Sequence, residues 1–427
     1  METIIVIGGG AAGLTAAYEL SKNNKRVILA EAADRLGGRI HTLSSGAFSV
    51  PVELGAEFVH GKLKHTLNLL KRAGIQYHAV KGNMYHLQHG EIRKQNHYSE
   101  HWNQLMREMK KVKIDTPFSD FLQEYFHDDK YIELRESVKR YAGGFDLADV
   151  SQASTMFLYN EWSNEDNIQY RIEGGYQKII DYLESECRKY GCIIYKDCCV
   201  KKINWQKDEV SIITICSRYF TAKKIVITVP LSVLQANKND LEYIQFNPGI
   251  DTYLGAANNI GFGSVIKIIL EFDESFWKKV HKNIGFIFTE ANVSTWWTQL
   301  PEGNHILTGW IGGTRTVSFN DKSEEQILEE SLQSLSSAFA IEPHVLRNKI
   351  RVFKIINWKE VPNISGGYSY NTPQSIVAKN ILNQPVEKTI YFAGEGLHEG
   401  TSPGTVEAAI ISGKEVALKI LQKGDIA

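Results

Sequence analysis

The sequence predicts an α/β protein of two domains, one Rossmann-like and the other α+β. Three observations carry that reading. The 427 residues exceed what one hydrophobic core organises. The chain opens on a strand, a glycine turn and a helix, the start of a βαβ unit. Later strand-like stretches are split by a long, mostly helical segment from about Leu63 to Tyr170.

Thr3–Ile7 is β-branched and reads as a buried strand, Gly8-Gly9-Gly10 as the turn, Ala11–Ser21 as a helix and Arg26–Glu31 as the next strand. Within the inserted segment, Trp102, Leu105, Met106 and Met109 recur at helical spacing. Thr116-Pro117 predicts an N-cap with proline at the first helical position, followed by the apolar stripe Phe118, Phe121, Leu122 and Tyr125. Strands are expected at Cys192–Tyr195, Val210–Cys216, Lys224–Val229, Ser264–Phe272, Ile284–Thr289 and Ile306–Gly312. Ser323 and Gln326 form a capping-box pattern ahead of Ile327, Leu328, Leu332 and Leu335. Thr389–Ala393 is the last strand and Gly404–Gln422 the last helix.

The 48 basic and 49 acidic residues leave a net charge of −1, so no global field favours nucleic acid or an anionic membrane. No apolar run reaches the roughly 20 residues a membrane span needs. The five cysteines are odd in number and lack zinc-site spacing, which fits reduced thiols. With no signal peptide at Met1-Glu2-Thr3, the expected setting is cytoplasmic, as a monomer or homodimer. His97 and His101 lie four apart without accompanying carboxylates, and no metal site is expected.

Gly8, Gly10 and Gly13 have the spacing of a dinucleotide turn: the first permits the bend, the second lets a diphosphate approach, the third lets helix and strand pack. Ala11 and Ala12 then offer backbone N–H groups at a helix N-terminus. Glu31, followed by Ala32, stands 18 residues after Gly13, where an acid bonds ribose hydroxyls and argues against a 2′-phosphate. Gly37, Gly38 and Arg39 follow at once. A second glycine approach with a cation at the diphosphate points to FAD rather than NAD.

These residues resemble the FAD signature of flavin-containing amine oxidases. Glu53-Leu54-Gly55-Ala56-Glu57-Phe58-Val59-His60-Gly61 resembles the segment that the family passes along the flavin. Ile227–Leu234, Gly263–Ile268, Tyr391–Glu395 and Gly404–Ala409 resemble further family segments, in the family's order. The pattern is closest to polyamine oxidases. The resemblance implies a two-domain amine oxidase fold, with residues 1–75, 172–240 and 355–427 binding FAD and residues 76–171 and 241–354 binding substrate. It assigns Gly55, Ala56, Glu57, Phe58, Val200, Pro230, Trp358, Gly394, Glu395, Thr405 and Val406 to the cofactor as well.

The implied chemistry is oxidation of an amine, di- and polyamines first, with molecular oxygen as acceptor. Lys267 would hold a water against the flavin; the alternative is a lysine pointing to solvent. Trp358 and Tyr368 would wall the substrate channel; the alternative is core packing. His60 would face substrate, or be a buried histidine bonded to backbone. Glu57 would meet a second ammonium or bond backbone, and Glu161, Glu165 and Asp166 are a candidate polycation mouth. Gly367 and Ser369 flank Tyr368 where monoamine oxidases carry a cysteine, so non-covalent FAD is expected. Thr405 replaces their second tyrosine, and Phe58 the arginine of amino-acid oxidases. Three readings stand: an amine oxidase, an amino-acid oxidase or amine dehydrogenase on the same scaffold, and a partner-binding flavoprotein with structural FAD. No sustained heptads suggest the coiled-coil tower of histone demethylases.

Overall fold

The computed structural model describes residues 1–44, 46–88, 91–94, 101–164, 168–400 and 402–422. Two sheets organise them. The first is parallel, in the spatial order Ile193–Tyr195, Arg26–Ala30, Thr3–Ile7, Lys224–Ile227, Ile390–Phe392. Its central strands are β-branched runs buried on both faces, as parallel strands covered on both sides require. Helices Ala11–Lys22, Gln177–Lys189 and Val406–Leu421 share a core with one face. On the other face, the four-stranded sheet that includes Val200–Gln206 and Glu209–Thr214 closes a second core.

The larger sheet has seven strands, in the order Ile350–Asn357, Val265–Phe272, Ile306–Gly312, Thr295–Thr298, Ile284–Phe288, Asn83–Gln88, Glu91–Lys94. Alternation sorts its side chains. Ile266, Ile268 and Leu270 go into a core with Trp296, Leu307 and the helix Glu324–Phe339. The intervening Lys267 faces the other way. Gly309 sits opposite Trp296, where a Cβ would come within 2.7 Å of the indole. Every strand of the parallel sheet falls in residues 1–75, 172–240 or 355–427, whereas Ile350–Asn357 of the seven-stranded sheet, antiparallel except where Ile284–Phe288 meets Asn83–Gln88, crosses the expected boundary at 355.

The inserted segment differs from expectation in two places. It is not uniformly helical: Asn83–Gln88 and Glu91–Lys94 extend the seven-stranded sheet, and Tyr77–Ala79 pairs with Gln169–Ile172. Short strands with mixed side chains leave no alternation strong enough to read. The helix Phe118–Tyr125 is capped by Pro117 rather than Thr116, with no side-chain cap bond. Phe118, Phe121 and Leu122 are buried, but Tyr125 is 47% exposed. The helices Trp102–Met109, Ile132–Phe145 and Thr155–Ser163 complete this small core. The capping box at Ser323 and Gln326 forms with both reciprocal bonds. All five cysteines are free thiols, and no described helix is long and apolar enough to cross a membrane.

The helices Ala11–Lys22 and Val406–Leu421 cross at Gly413, where a Cβ would lie 2.2 Å from the Ala12 carbonyl oxygen. Gly413→Ala gains about 1 kcal/mol of helix propensity yet forces two helices apart. The expected result is a net loss of about 1–3 kcal/mol in urea unfolding; a stabilised variant would refute the close crossing.

Candidate active site

The carboxyl ends of the parallel strands open onto a cavity of about 1380 Å³ that runs to the face of the antiparallel sheet carrying Lys267. Every residue assigned above to catalysis or cofactor lines it, except Gly13. Gly13 is spent on packing: a Cβ there would meet the Gly8 carbonyl oxygen at 1.9 Å.

The glycine end is shaped for a phosphate-bearing group. A Cβ on Gly10, Gly38 or Gly394 would meet no heavy atom closer than 3.7 Å, so at these three lining positions bare backbone faces open space. The helix Ala11–Lys22 has Gly10 as its N-cap, no side-chain cap and no acid in its first turn. Its first N–H groups and positive dipole end are left for an anion. Glu31 Oε2 accepts from Gly9 N at 2.6 Å and Oε1 from Ala33 N at 2.9 Å, which pins the carboxylate on the cavity wall with lone pairs to spare. Burial pushes its pKa up against those two bonds. Arg35 tethers the following loop through the carbonyls of Gly38 and Ile40, at 2.8 and 3.0 Å. Arg39 is paired with Glu395 at 2.7 Å and donates to Gly367 O at 2.7 Å. Thr405 caps the helix Val406–Leu421. The residues fit a nucleotide cofactor.

At the other end, Lys267 is 1% exposed, and its ammonium donates to Glu57 Oε2 at 2.7 Å and Gly55 O at 3.1 Å. An ammonium has three donors, so one remains for the cavity. The solvent-facing alternative for this lysine is excluded by its burial. Gly55 must be glycine, since a Cβ would sit 1.9 Å from the Arg39 carbonyl oxygen. Glu57 Oε1 accepts from Arg171 Nε at 3.0 Å, Arg171 Nη2 at 2.9 Å and Trp297 Nε1 at 2.9 Å. Burial opposes its charge, but Lys267 and Arg171 outweigh that and hold its pKa at about 2. Both carboxylate oxygens are therefore committed inside the protein, which leaves no place for a substrate ammonium on Glu57.

Aromatic rings enclose the same end. Trp358 is buried and donates to Leu54 O at 2.9 Å. The Tyr368 hydroxyl donates to Phe145 O. Burial, then the charges of Asp146, Glu161 and Glu395, push its pKa well up. His60 packs edge-on against Phe58 and Phe145, with centroids 6.0 and 5.7 Å away. Among the described residues its ring makes no hydrogen bond, so the backbone-bonded alternative does not hold there. Burial lowers its pKa to about 4, which leaves the imidazole neutral at physiological pH.

Several wall residues were not anticipated from sequence, namely Trp297, Trp310, Phe145 and Asp146, nor was Arg171, which lies behind the wall on Glu57. The doublet Trp296-Trp297 was a usable signal, because alternation in a strand sends one indole to the core and the other to the opposite face. Of the expected acidic mouth, Glu161 lines the cavity, while Glu165 and Asp166 lie outside the described residues, as does His97. Among the described residues no group of three or more His, Cys, Asp or Glu is arranged to hold a metal ion.

A parallel sheet with a glycine turn at its carboxyl edge places the chain among nucleotide-binding α/β proteins. Within them it belongs to the flavin-containing amine oxidoreductase family, which matches residues 11–421. It is 27% identical to human (Homo sapiens) lysine-specific histone demethylase 2 over 98% of this chain and 53% of the relative. It is 24% identical to the probable polyamine oxidase 4 of Arabidopsis thaliana over 99% of this chain and 88% of the relative. The chain thus spans about half the length of the demethylases it matches. Among solved structures, putrescine oxidase bound to putrescine superposes with a TM-score of 0.82 at 18% identity, covering 99% of both chains. Cyclohexylamine oxidase from Brevibacterium oxydans IH-35A gives 0.81 at 20% identity, again over 99% of both. These two establish the likeness of fold.

Glu57→Gln leaves two buried cations without their counter-charge and is expected to cost about 3–5 kcal/mol. Lys267→Met leaves Glu57 paired with Arg171 and should cost less. Urea melts of the two variants check the order; equal losses would remove Glu57 from the centre of the network.

Proposed function

We propose that this chain binds FAD non-covalently and oxidises an amine by hydride transfer. The products are an imine, which water hydrolyses to an aldehyde and an amine, and hydrogen peroxide from molecular oxygen. What carries this reading is Lys267: a buried ammonium with one free N–H, on the wall of a cavity whose far end is built for a dinucleotide. Gly8, Gly10, Ala11, Ala12, Gly37 and Gly38 would hold the diphosphate, and Glu31 the ribose hydroxyls. Residues 1–75, 172–240 and 355–427 would form the FAD-binding domain, and residues 76–171 and 241–354 the substrate domain.

When bound, the flavin accepts the hydride from the carbon beside the nitrogen and passes the electrons to oxygen. The protein prepares the amine. The reacting nitrogen must be neutral so that its lone pair can stabilise the developing cation. A dry aromatic wall of Trp358, Tyr368, Trp297 and His60 favours that form by desolvation. His60, held neutral, adds no competing charge. Lys267 keeps its remaining N–H for a water or for the reactive edge of the cofactor.

Di- and polyamines are the favoured substrates. Asp146 and Glu161 lie on the cavity wall close enough to act on the Tyr368 hydroxyl electrostatically, so a second ammonium would meet acids there. Among the described residues an α-carboxylate finds no free guanidinium beside Lys267. Arg171 stacks over Phe58 at 4.8 Å, but it is spent on Glu57, Thr298 O and Leu300 O and is not on the cavity wall. Covalent attachment lacks a nucleophile beside Tyr368. The lining thiols Cys198 and Cys199 lie at the Glu31 end, where Cys198 N bonds Glu31 O at 2.8 Å.

Anaerobic visible spectra of the purified protein, taken while spermine, spermidine, acetylated polyamines, putrescine, benzylamine and amino acids are added one at a time, test the reading. A favoured amine should bleach the oxidised flavin band within seconds, and air should restore it. A band that no amine bleaches would leave a flavoprotein of another kind. Lys267→Met should slow the restoration by air far more than it lowers flavin content. Acid precipitation should release the yellow colour into the supernatant.

A further inference from the structure

Lys267 heads a row that crosses five strands. It lies directly opposite Trp310, Trp310 opposite Thr295, Thr295 opposite Phe288, and Phe288 opposite His86. All five side chains line the cavity, as directly opposed residues on one sheet face should. Four strand spacings of ~4.8 Å put His86 roughly 19 Å from Lys267. The row is a ruler leading away from the reacting end, and it carries no carboxylate.

The helix Ile132–Phe145 forms the facing wall with Ser137, Arg140, Tyr141 and Gly144, one stripe at helical spacing. Its inner end is fixed over the row: Trp310 Nε1 donates to Gly144 O at 2.7 Å, and Phe145 packs on His60. Arg140 lies one turn further out, about 6 Å along the axis. There its charge acts on His86 and on Arg315, and with burial it lowers both their pKa values. Among the described residues Arg140 makes no hydrogen bond or ion pair. Arg315 has one long bond, 3.4 Å to Ala291 O. The acids in reach, Glu136 and Glu290, pair with neither arginine, and Glu136 is engaged with Lys139 at 3.4 Å. An uncompensated guanidinium on the wall of a cavity is a site for an anion.

We propose that the outer end of this row is an anion subsite, with Arg140 as its anchor, which takes a carboxylate at the far end of the amine substrate. A chain running from Lys267 along Trp310, Thr295 and Phe288 would place its last group there. The identity of the reacting end rests on the amine reading; the anion subsite does not.

Two measurements on the flavin-loaded enzyme separate them. The first is calorimetric binding of saturated fatty carboxylates of increasing chain length, which lack an amine. The second is anaerobic flavin reduction by ω-aminocarboxylates and by n-alkylamines of matched length. Arg140→Gln is expected to weaken carboxylate binding roughly ten- to hundredfold, and to abolish the preference for the aminocarboxylate over the alkylamine. Arg140→Lys, which keeps the charge without the planar fork, should fall between and guards against a folding defect. Carboxylate binding unchanged in Arg140→Gln, or an equal loss for alkylamines, overturns the subsite. Arg140-dependent carboxylate binding with no amine able to reduce the flavin would sustain the subsite and discard the amine reading.

Discussion

The carboxylate of Glu57 is buried with Arg171, Lys267 and Trp297 around it, and each partner comes from a different part of the chain. Glu57 belongs to the loop between two short strands, Arg171 to the strand closing the inserted segment, and Lys267 and Trp297 to the antiparallel sheet. A lone carboxylate at that depth would be protonated. With a cation on either side it stays ionised down to about pH 2. Such a network adds little net stability over apolar packing, but a misplaced partner leaves a bare charge. It therefore fixes how the Gly55–His60 backbone lies against the sheet, and with it the direction of the one free N–H of Lys267. The stability Glu57 lends is present above the ordinary carboxylate pKa of 4.5 and is lost as pH falls through about 2.

The two sheets divide the work because their hydrogen bonding differs. Parallel strands need crossover helices, so both faces are buried and only the carboxyl edge stays open. That edge supplies backbone N–H groups and a helix dipole but few side chains, which suits a phosphate. The antiparallel sheet buries one face under the helix Glu324–Phe339 and leaves the other for alternating side chains. That face supplies Lys267, Trp297 and Trp310. The cavity joins an anion cradle made of main chain to an aromatic surface made of side chains, and Gly55 is where the two touch.

Much of the cofactor end was legible because it depends on local rules. A glycine spacing, a helix behind it and an acid at the end of the next strand are set within some thirty residues of sequence. Lys267 stood out because a lysine in the run Val265–Leu270 contradicts its surroundings. Glu57 was legible as a site residue but not in its role. Nothing local reveals that Arg171 and Trp297, 114 and 240 positions away, converge on one of its oxygens. The strands at Asn83–Gln88 and Glu91–Lys94 were missed for a related reason: the first is rewarded by long-range pairing with Ile284–Phe288, and the second pairs on the first. Intrinsic preference over four to six residues does not outweigh that. The same strands bring His86 into the row, so the outer end of the cavity could not be read from sequence.

The placement of charge separates recognition from chemistry. Around Lys267 each charge is answered: Glu57 by two cations, Arg39 by Glu395, with His60 neutral. A substrate nitrogen arriving there meets a dry surface with no acid to hold it as ammonium. Further out, among the described residues, the guanidinium of Arg140 on the cavity wall is unanswered. Attraction exerted on remote parts of a substrate can be spent on desolvating the reacting part. If the charges were reversed in place, with unpaired ions beside Lys267 and apolar groups outside, binding would favour the protonated amine that cannot give up its hydride. The strand row sets the distance between these two environments at several spacings, and under the proposed amine chemistry that distance would make chain length and the far-end charge the properties by which this cavity selects.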